Sequence, residues 1–189
     1  MKNIKILLLL LLSAMMLFVM VSIAHADITG DTIEIQYFYP NNVTLYPSVF
    51  PSSNPVTGAV TAAGLTMDLF YNQDVTVYPT SVNMVGINTS GSFFVTAAFN
   101  GVSITDLTNP SAFTAFSVDP ASNVIGFNSS DVSLIGGVLY INYEGLNTPY
   151  GSLAQVDLTA PAGVPEPTTL LLLGLGLVGL AGVRRKFKN

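Results

Sequence analysis

Residues 131–146 read DVSLIGGVLYINYEGL, and how this stretch pairs with itself decides the fold. Two β-rich arms flank Gly136-Gly137, a dipeptide that takes positive φ without steric cost and so suits the tight turn of an antiparallel hairpin. The same logic applied to residues 92–107, SFFVTAAFNGVSITDL, places a type I′ turn at Asn100-Gly101. Upstream, TIEIQYFY at residues 32–39 sets Ile33, Ile35, Tyr37 and Tyr39 on one side and Thr32, Glu34 and Gln36 on the other, with Phe38 the exception. That period of two belongs to a half-buried strand.

Working outward, further strands are expected at residues 65–71, 74–78, 81–87, 113–118 and 154–158. PNNVTLYPSVFPSSNP at residues 40–55 carries Pro40, Pro47, Pro51 and Pro55. Proline cannot donate to a sheet ladder, so this is expected to be a long loop with edge pairing at most. No segment between the two ends holds helical periodicity over three turns. About eight strands separated by turn signals argue for an all-β domain, an antiparallel β-sandwich or jelly-roll-like arrangement. The expected fold adds an N-terminal signal helix and a C-terminal hydrophobic helix on either side of it.

Charge divides the chain in the same way. All six basic residues, Lys2, Lys5, Arg184, Arg185, Lys186 and Lys188, lie near the ends, and the single histidine is His25. From Asp27 to Gly163 there is no Lys, Arg, His, Cys or Trp, while ten acids are spread along the same span. Nucleic acid is therefore excluded as a partner, because phosphate binding needs cations to release the counterions. Ser-His-Asp, Cys-His and lysine Schiff-base catalysis lack their residues, and so do nitrogen or sulfur metal sites. Only carboxylate chemistry remains. Acids spaced at turns and solvent faces read as solubilising, so no enzyme is expected and no catalytic residue is assigned. No cofactor is expected either; calcium, which takes oxygen ligands alone, is the one metal that suits such a surface.

The N-terminus, MKNIKILLLLLLSAMMLFVMVSIAHA, has two early lysines, an apolar run from Ile6, and Ala24-His25-Ala26 at its end. Those three features together form a secretory signal peptide over residues 1–26, with Ala24 and Ala26 framing cleavage before Asp27. An extracellular β-sandwich domain then spans residues 27–158, and TAPAGVPEPTT within residues 159–169 is a stiff linker. Residues 170–183 form an apolar run expected as a C-terminal transmembrane segment. Its fourteen residues reach roughly 21 Å as a helix, short of the ~30 Å hydrocarbon core. Arg184, Arg185 and Lys186, in a basic tail of residues 184–189, determine topology by remaining cytoplasmic.

VPEP, then the glycine-containing apolar run, then RRK at the end resembles the PEP-CTERM protein-sorting domain of Gram-negative bacteria. The motif residues correspond to Pro165, Glu166 and Pro167. The resemblance implies export by the general secretion machinery, transient anchoring in the inner membrane, recognition by an exosortase, and removal of the tail. It further implies delivery to the outer surface or extracellular matrix, in association with exopolysaccharide and biofilm. More weakly, VIGFNSSDVSLIGGVLYINYEGL is similar to a segment of the small extracellular β-rich domains that accompany this tail, with Asn128 where aspartate is common and Tyr143 where tryptophan is common. That group lends no catalytic residues.

Three roles follow for the central domain. The leading one is a non-enzymatic structural or adhesive component of an extracellular polysaccharide layer. A carbohydrate-binding module is the second, with Tyr37, Tyr39, Tyr46, Tyr71, Tyr140, Tyr143 and Tyr150 as candidate sugar-facing rings. The third is a self-assembling β-rich matrix subunit, since no lysine guards any strand edge.

Overall fold

In the computed structural model, residues 27–47, 49–89, 91 and 93–159 are described. Ten strands follow in chain order: β1 (Thr32–Phe38), β2 (Val56–Ala59), β3 (Leu65–Leu69), β4 (Gln73–Val77), β5 (Ser81–Gly86), β6 (Gly101–Asp106), β7 (Ala115–Val118), β8 (Val132–Ile135), β9 (Val138–Asn142) and β10 (Leu153–Thr159). They form two five-stranded sheets, ordered β2-β1-β6-β9-β8 and β3-β4-β5-β10-β7. All pairings within them are antiparallel.

Alternation explains how the sheets pack. Ile33 and Ile35 of β1 and Ile104 of β6 are fully buried, as are Met67 and Leu69 of β3, Val75 of β4 and Leu158 of β10, and all belong to one hydrophobic core. Each such side chain contributes about 1.5–3 kcal/mol by leaving water. With no cysteine and no basic side chain between Asp27 and Gly163, neither disulfides nor side-chain ion pairs supplement that burial.

The Gly136-Gly137 hairpin forms as predicted. Both glycines have positive φ, +61° and +82°, and Ile135 pairs with Val138 across the turn. The predicted Asn100-Gly101 hairpin does not form. Gly101 opens β6, which pairs with β1 and β9, while the chain before it turns elsewhere: Phe94 donates its N–H to Leu146 (3.0 Å) and accepts one from Gly145 (2.9 Å). Glycine is needed at 101 for closeness rather than for a turn. A Cβ there would sit 2.0 Å from the carbonyl oxygen of Ile141.

Two further corrections and one expectation that holds concern extent. Strand β2 arises from a stretch that composition leaves unmarked, and it completes the edge beside β1. The proline-rich stretch is a loop, as expected, whose β pairing is confined to isolated bridges such as Phe38 with Leu45 and Pro51 with Leu69. The expected flanking helices are not part of the observed fold, which is all-β. Among the described residues the helical element is the 3-10 turn Ser129–Asp131, and no helix is long and apolar enough to cross a membrane. Period-two patterning leaves no helical apolar stripe in residues 27–159. Of the linker expected over residues 159–169, Thr159 instead ends β10; residues 160–169, with the segments expected as signal helix (1–26), transmembrane segment (170–183) and basic tail (184–189), lie outside the described residues.

Candidate functional site: an uncharged aromatic cleft

Three tyrosines come together at the end of β1. Tyr37 lies on β1 and Tyr39 just beyond it, and Tyr46 is brought alongside by the loop that follows. The device that holds them is Asn54. Its side-chain amide accepts the N–H of Tyr37 (3.0 Å) and donates to the carbonyls of Tyr37 (2.9 Å) and Tyr46 (2.8 Å). One asparagine thus satisfies backbone groups that a neighbouring strand would otherwise pair. A direct bond from Tyr46 N–H to Tyr37 C=O (3.0 Å) closes the arrangement.

The second sheet supplies Phe70 from the β3–β4 turn. Phe70 and Tyr71 have φ of 61° and 58°, a left-handed conformation that costs a bulky L-residue about 1–2 kcal/mol. Strain of this kind persists where surrounding contacts over-determine it, and it gathers at binding sites. Here the contacts are rings. Phe70 meets Tyr37 at 6.0 Å and Tyr46 at 5.7 Å, and Tyr37 meets Tyr46 at 5.7 Å, each edge to face. Tyr39 adds a fourth ring at 6.2 Å from Tyr46, and Tyr71 packs on Phe50 at 5.3 Å beside them.

With Phe93, Phe94 and Val95 from the loop before β6, these rings enclose a cleft of about 270 Å³ whose polar lining is Asn72, Gln73 and Asn100. Phe93 and Val95 are each 57% exposed, so apolar surface faces the opening. Asn100 is buried and fully engaged: it accepts the hydroxyl of Tyr37, donates to the carbonyl of Val95 (2.8 Å), and its backbone N–H reaches Asn142 Oδ1 (2.9 Å). Burial raises the Tyr37 phenol well above its ordinary pKa, with the neighbouring Tyr46 and Tyr39 adding to the effect. It therefore stays a neutral donor. No ionisable acid lines the cleft, so the site suits an uncharged ligand that offers C–H faces to rings and hydroxyls to amides.

Of the tyrosines singled out in the sequence, Tyr37, Tyr39 and Tyr46 line the cleft and Tyr71 adjoins it. Tyr143 is core, 1% exposed, and packed between Phe94 (5.1 Å) and Phe127 (6.3 Å). Tyr140 lies against Phe99 at 6.2 Å, and Tyr150 is exposed without a place in the cleft lining. The edge-to-face angles of 73–89° among the cleft rings make a box rather than a flat platform. Sequence reading overlooked Phe70, Phe93, Asn72, Gln73 and Asn100. One signal was available: Phe70-Tyr71-Asn72 fills a turn between β-rich arms without Gly or Pro.

Asn128, from the β-rich-domain resemblance, has a local structural role. It caps the 3-10 turn through Ser130 N–H (2.9 Å), and its own N–H is held by Asp131 (2.8 Å). No group of three or more His, Cys, Asp or Glu side chains among the described residues is arranged to hold a metal.

Residues 163–186 match the PEP-CTERM protein-sorting motif. The chain carries an exosortase sorting signal. Pro165, Glu166, Pro167, Arg184, Arg185 and Lys186 fall within the matched span but outside the described residues, as do Ala24 and Ala26. No curated protein and no solved structure matches the chain. The chain thus joins a β-sandwich body to a C-terminal PEP-CTERM sorting motif, which supports its export and sorting to the surface.

Proposed function

We propose that this PEP-CTERM protein is an adhesive component of an extracellular polysaccharide or biofilm matrix, and that its aromatic cleft binds neutral sugar units. The cleft carries the reading: four edge-to-face rings and three amide side chains bound it, with no charge among its lining residues. Aromatic faces pack against the C–H surface of a sugar ring, while amides and phenols fix its hydroxyls. An acid-only surface repels anionic polymers, which favours a neutral glycan.

In this reading the general secretion machinery exports the chain and cleavage after Ala26 follows. Exosortase then reads Pro165-Glu166-Pro167 while Arg184-Arg185-Lys186 remain on the cytoplasmic side, and the product reaches the outer surface. The test is a glycan array with the purified chain and with Tyr46→Ala and Phe70→Ala variants. Neutral oligosaccharides retained by the parent and lost in both variants support the cleft. An array blank for the parent, with unchanged matrix mass and surface attachment after gene deletion, sinks the proposal.

A self-assembling subunit is the second reading. It is favoured by β8, an edge strand whose Ile135 is 60% exposed and which has no lysine to deter pairing with another copy. Light scattering that rises as pH falls toward about 4, as surface carboxylates lose charge, distinguishes it from glycan binding by a monomer.

A further inference from the structure

Asp106 ends β6 with its side chain wholly buried. One oxygen, Oδ1, accepts the backbone N–H groups of Thr108 (2.9 Å) and Asn109 (2.8 Å). The other, Oδ2, has no hydrogen-bond partner. Asp106 stands opposite Ile33 in the β1–β6 register. Asp31 lies two residues before Ile33, on the same face of the ladder as Asp106, and burial followed by the neighbouring Asp106 carboxyl raises its pKa above the ordinary carboxylate value. Ionised carboxylates only accept hydrogen bonds, so two of them side by side with one buried call for something positive between them. No Lys, Arg or His exists from Asp27 to Gly163 to supply it, and the nearby Asp27 adds a third negative charge acting on Asp31. A buried carboxylate lacking both water and a counter-charge is strongly unfavourable.

We propose that Asp31 and Asp106 form a divalent-cation site, taking a hard ion such as Ca²⁺ through Asp106 Oδ2 and the Asp31 carboxylate, with water completing its shell. Calcium binds oxygen ligands alone and tolerates irregular geometry, which is the chemistry this pair offers. Asp31 is half-buried, leaving the ion a route in. The site joins three segments, because the Asp31 carbonyl also accepts the N–H of Val60 beyond β2 (2.9 Å) and Leu107 beyond β6 donates to Thr32 (2.8 Å). Occupancy therefore fastens one end of the first sheet, at the opposite end of β1 from Tyr37 and of β6 from Asn100. Two carboxylates place the affinity near the weak range of extracellular calcium modules, with Kd of about 10⁻⁴–10⁻³ M.

The test is thermal unfolding of the purified chain at pH 7, with chelator or with calcium chloride from about 0.1 to 10 mM, spanning that range. The expected result is a Tm rise of about 4 °C at the highest concentration. It is retained in Glu34→Gln, on the other face of β1, and lost in Asp31→Asn. Since Asp106 is buried and its replacement risks the fold, Asp31→Asn is the deciding variant. A flat Tm in the parent overturns the site and leaves a shared proton as the bridge between the carboxyls. An equal rise in Asp31→Asn also overturns it, and assigns calcium to the dispersed surface acids.

Discussion

The hydroxyl of Tyr37 donates to Oδ1 of Asn100, joining the residue at the heart of the aromatic box to one that sequence patterning assigns to a surface turn. The bond explains why Asn100 is 3% exposed: its amide is the internal support of the cleft. Replacing Asn100 with Ala leaves the Tyr37 hydroxyl unpartnered and breaks the Val95 tie, so a loss of about 2–4 kcal/mol is expected. Urea unfolding measures it, and a loss no greater than that of an ordinary surface substitution refutes the supporting role.

Gly101→Ala is expected to cost at least as much, about 3 kcal/mol, because the new methyl would overlap the Ile141 carbonyl and push β6 from β9. Gly136→Ala offers a contrast at the hairpin. Nothing lies within 4 Å of a Cβ there, so only the positive φ is penalised, at about 1 kcal/mol. Equal costs for the two substitutions would contradict the separate roles assigned to these glycines.

Strain at Phe70 makes a sign prediction. In ordinary strand or helix backbone Gly is less stable than Ala by roughly 0.5–1 kcal/mol. At φ of 61° the order reverses, so Phe70→Gly should be more stable than Phe70→Ala by about 1 kcal/mol. Both variants lose the ring contacts with Tyr37 and Tyr46, so the difference isolates the backbone.

Asp68 and Asp74 face each other directly across β3 and β4. Burial first, and then the Asp68 charge, raises the Asp74 carboxyl above the ordinary carboxylate range. A carboxyl that holds its proton more tightly when folded stabilises the fold at pH below the unfolded value. That contribution is lost as pH rises through the raised folded value. Asp74→Asn should therefore be more stable than the parent at pH 7, by about 0.5 kcal/mol after solvent screening, with the advantage shrinking toward pH 3. Chemical denaturation at several pH values checks both sign and trend; a variant less stable at pH 7 contradicts the pairing.

The sorting assignment is tested on intact mass. Glu166→Ala should leave the mature protein still carrying the residues C-terminal to the motif, whereas the parent loses them. Identical masses for the two proteins would remove Glu166 from the recognition element.

The sequence by itself determined the β class, the sorting motif at the C-terminal end, and the absence of histidine, cysteine and cationic side chains between Asp27 and Gly163. These are local or compositional properties. Alternation in residues 32–37 and paired glycines at 136–137 act through nearest neighbours, and a missing side chain is missing in any fold. Tertiary structure alone decided that Asn100-Gly101 is interior. The dipeptide has the same turn propensity in isolation, but Gly101 must admit the backbone of β9, and Asn100 must satisfy Tyr37, sixty-three positions away. The aromatic cleft was hidden for the same reason. Its rings come from β1, the proline-rich loop, a strained turn of the other sheet and the segment before β6, and only the stacking of two sheets makes them neighbours. Asp31 and Asp106, seventy-five residues apart, likewise meet only through the β1–β6 register, where burial turns two unremarkable acids into a pair that needs a positive partner.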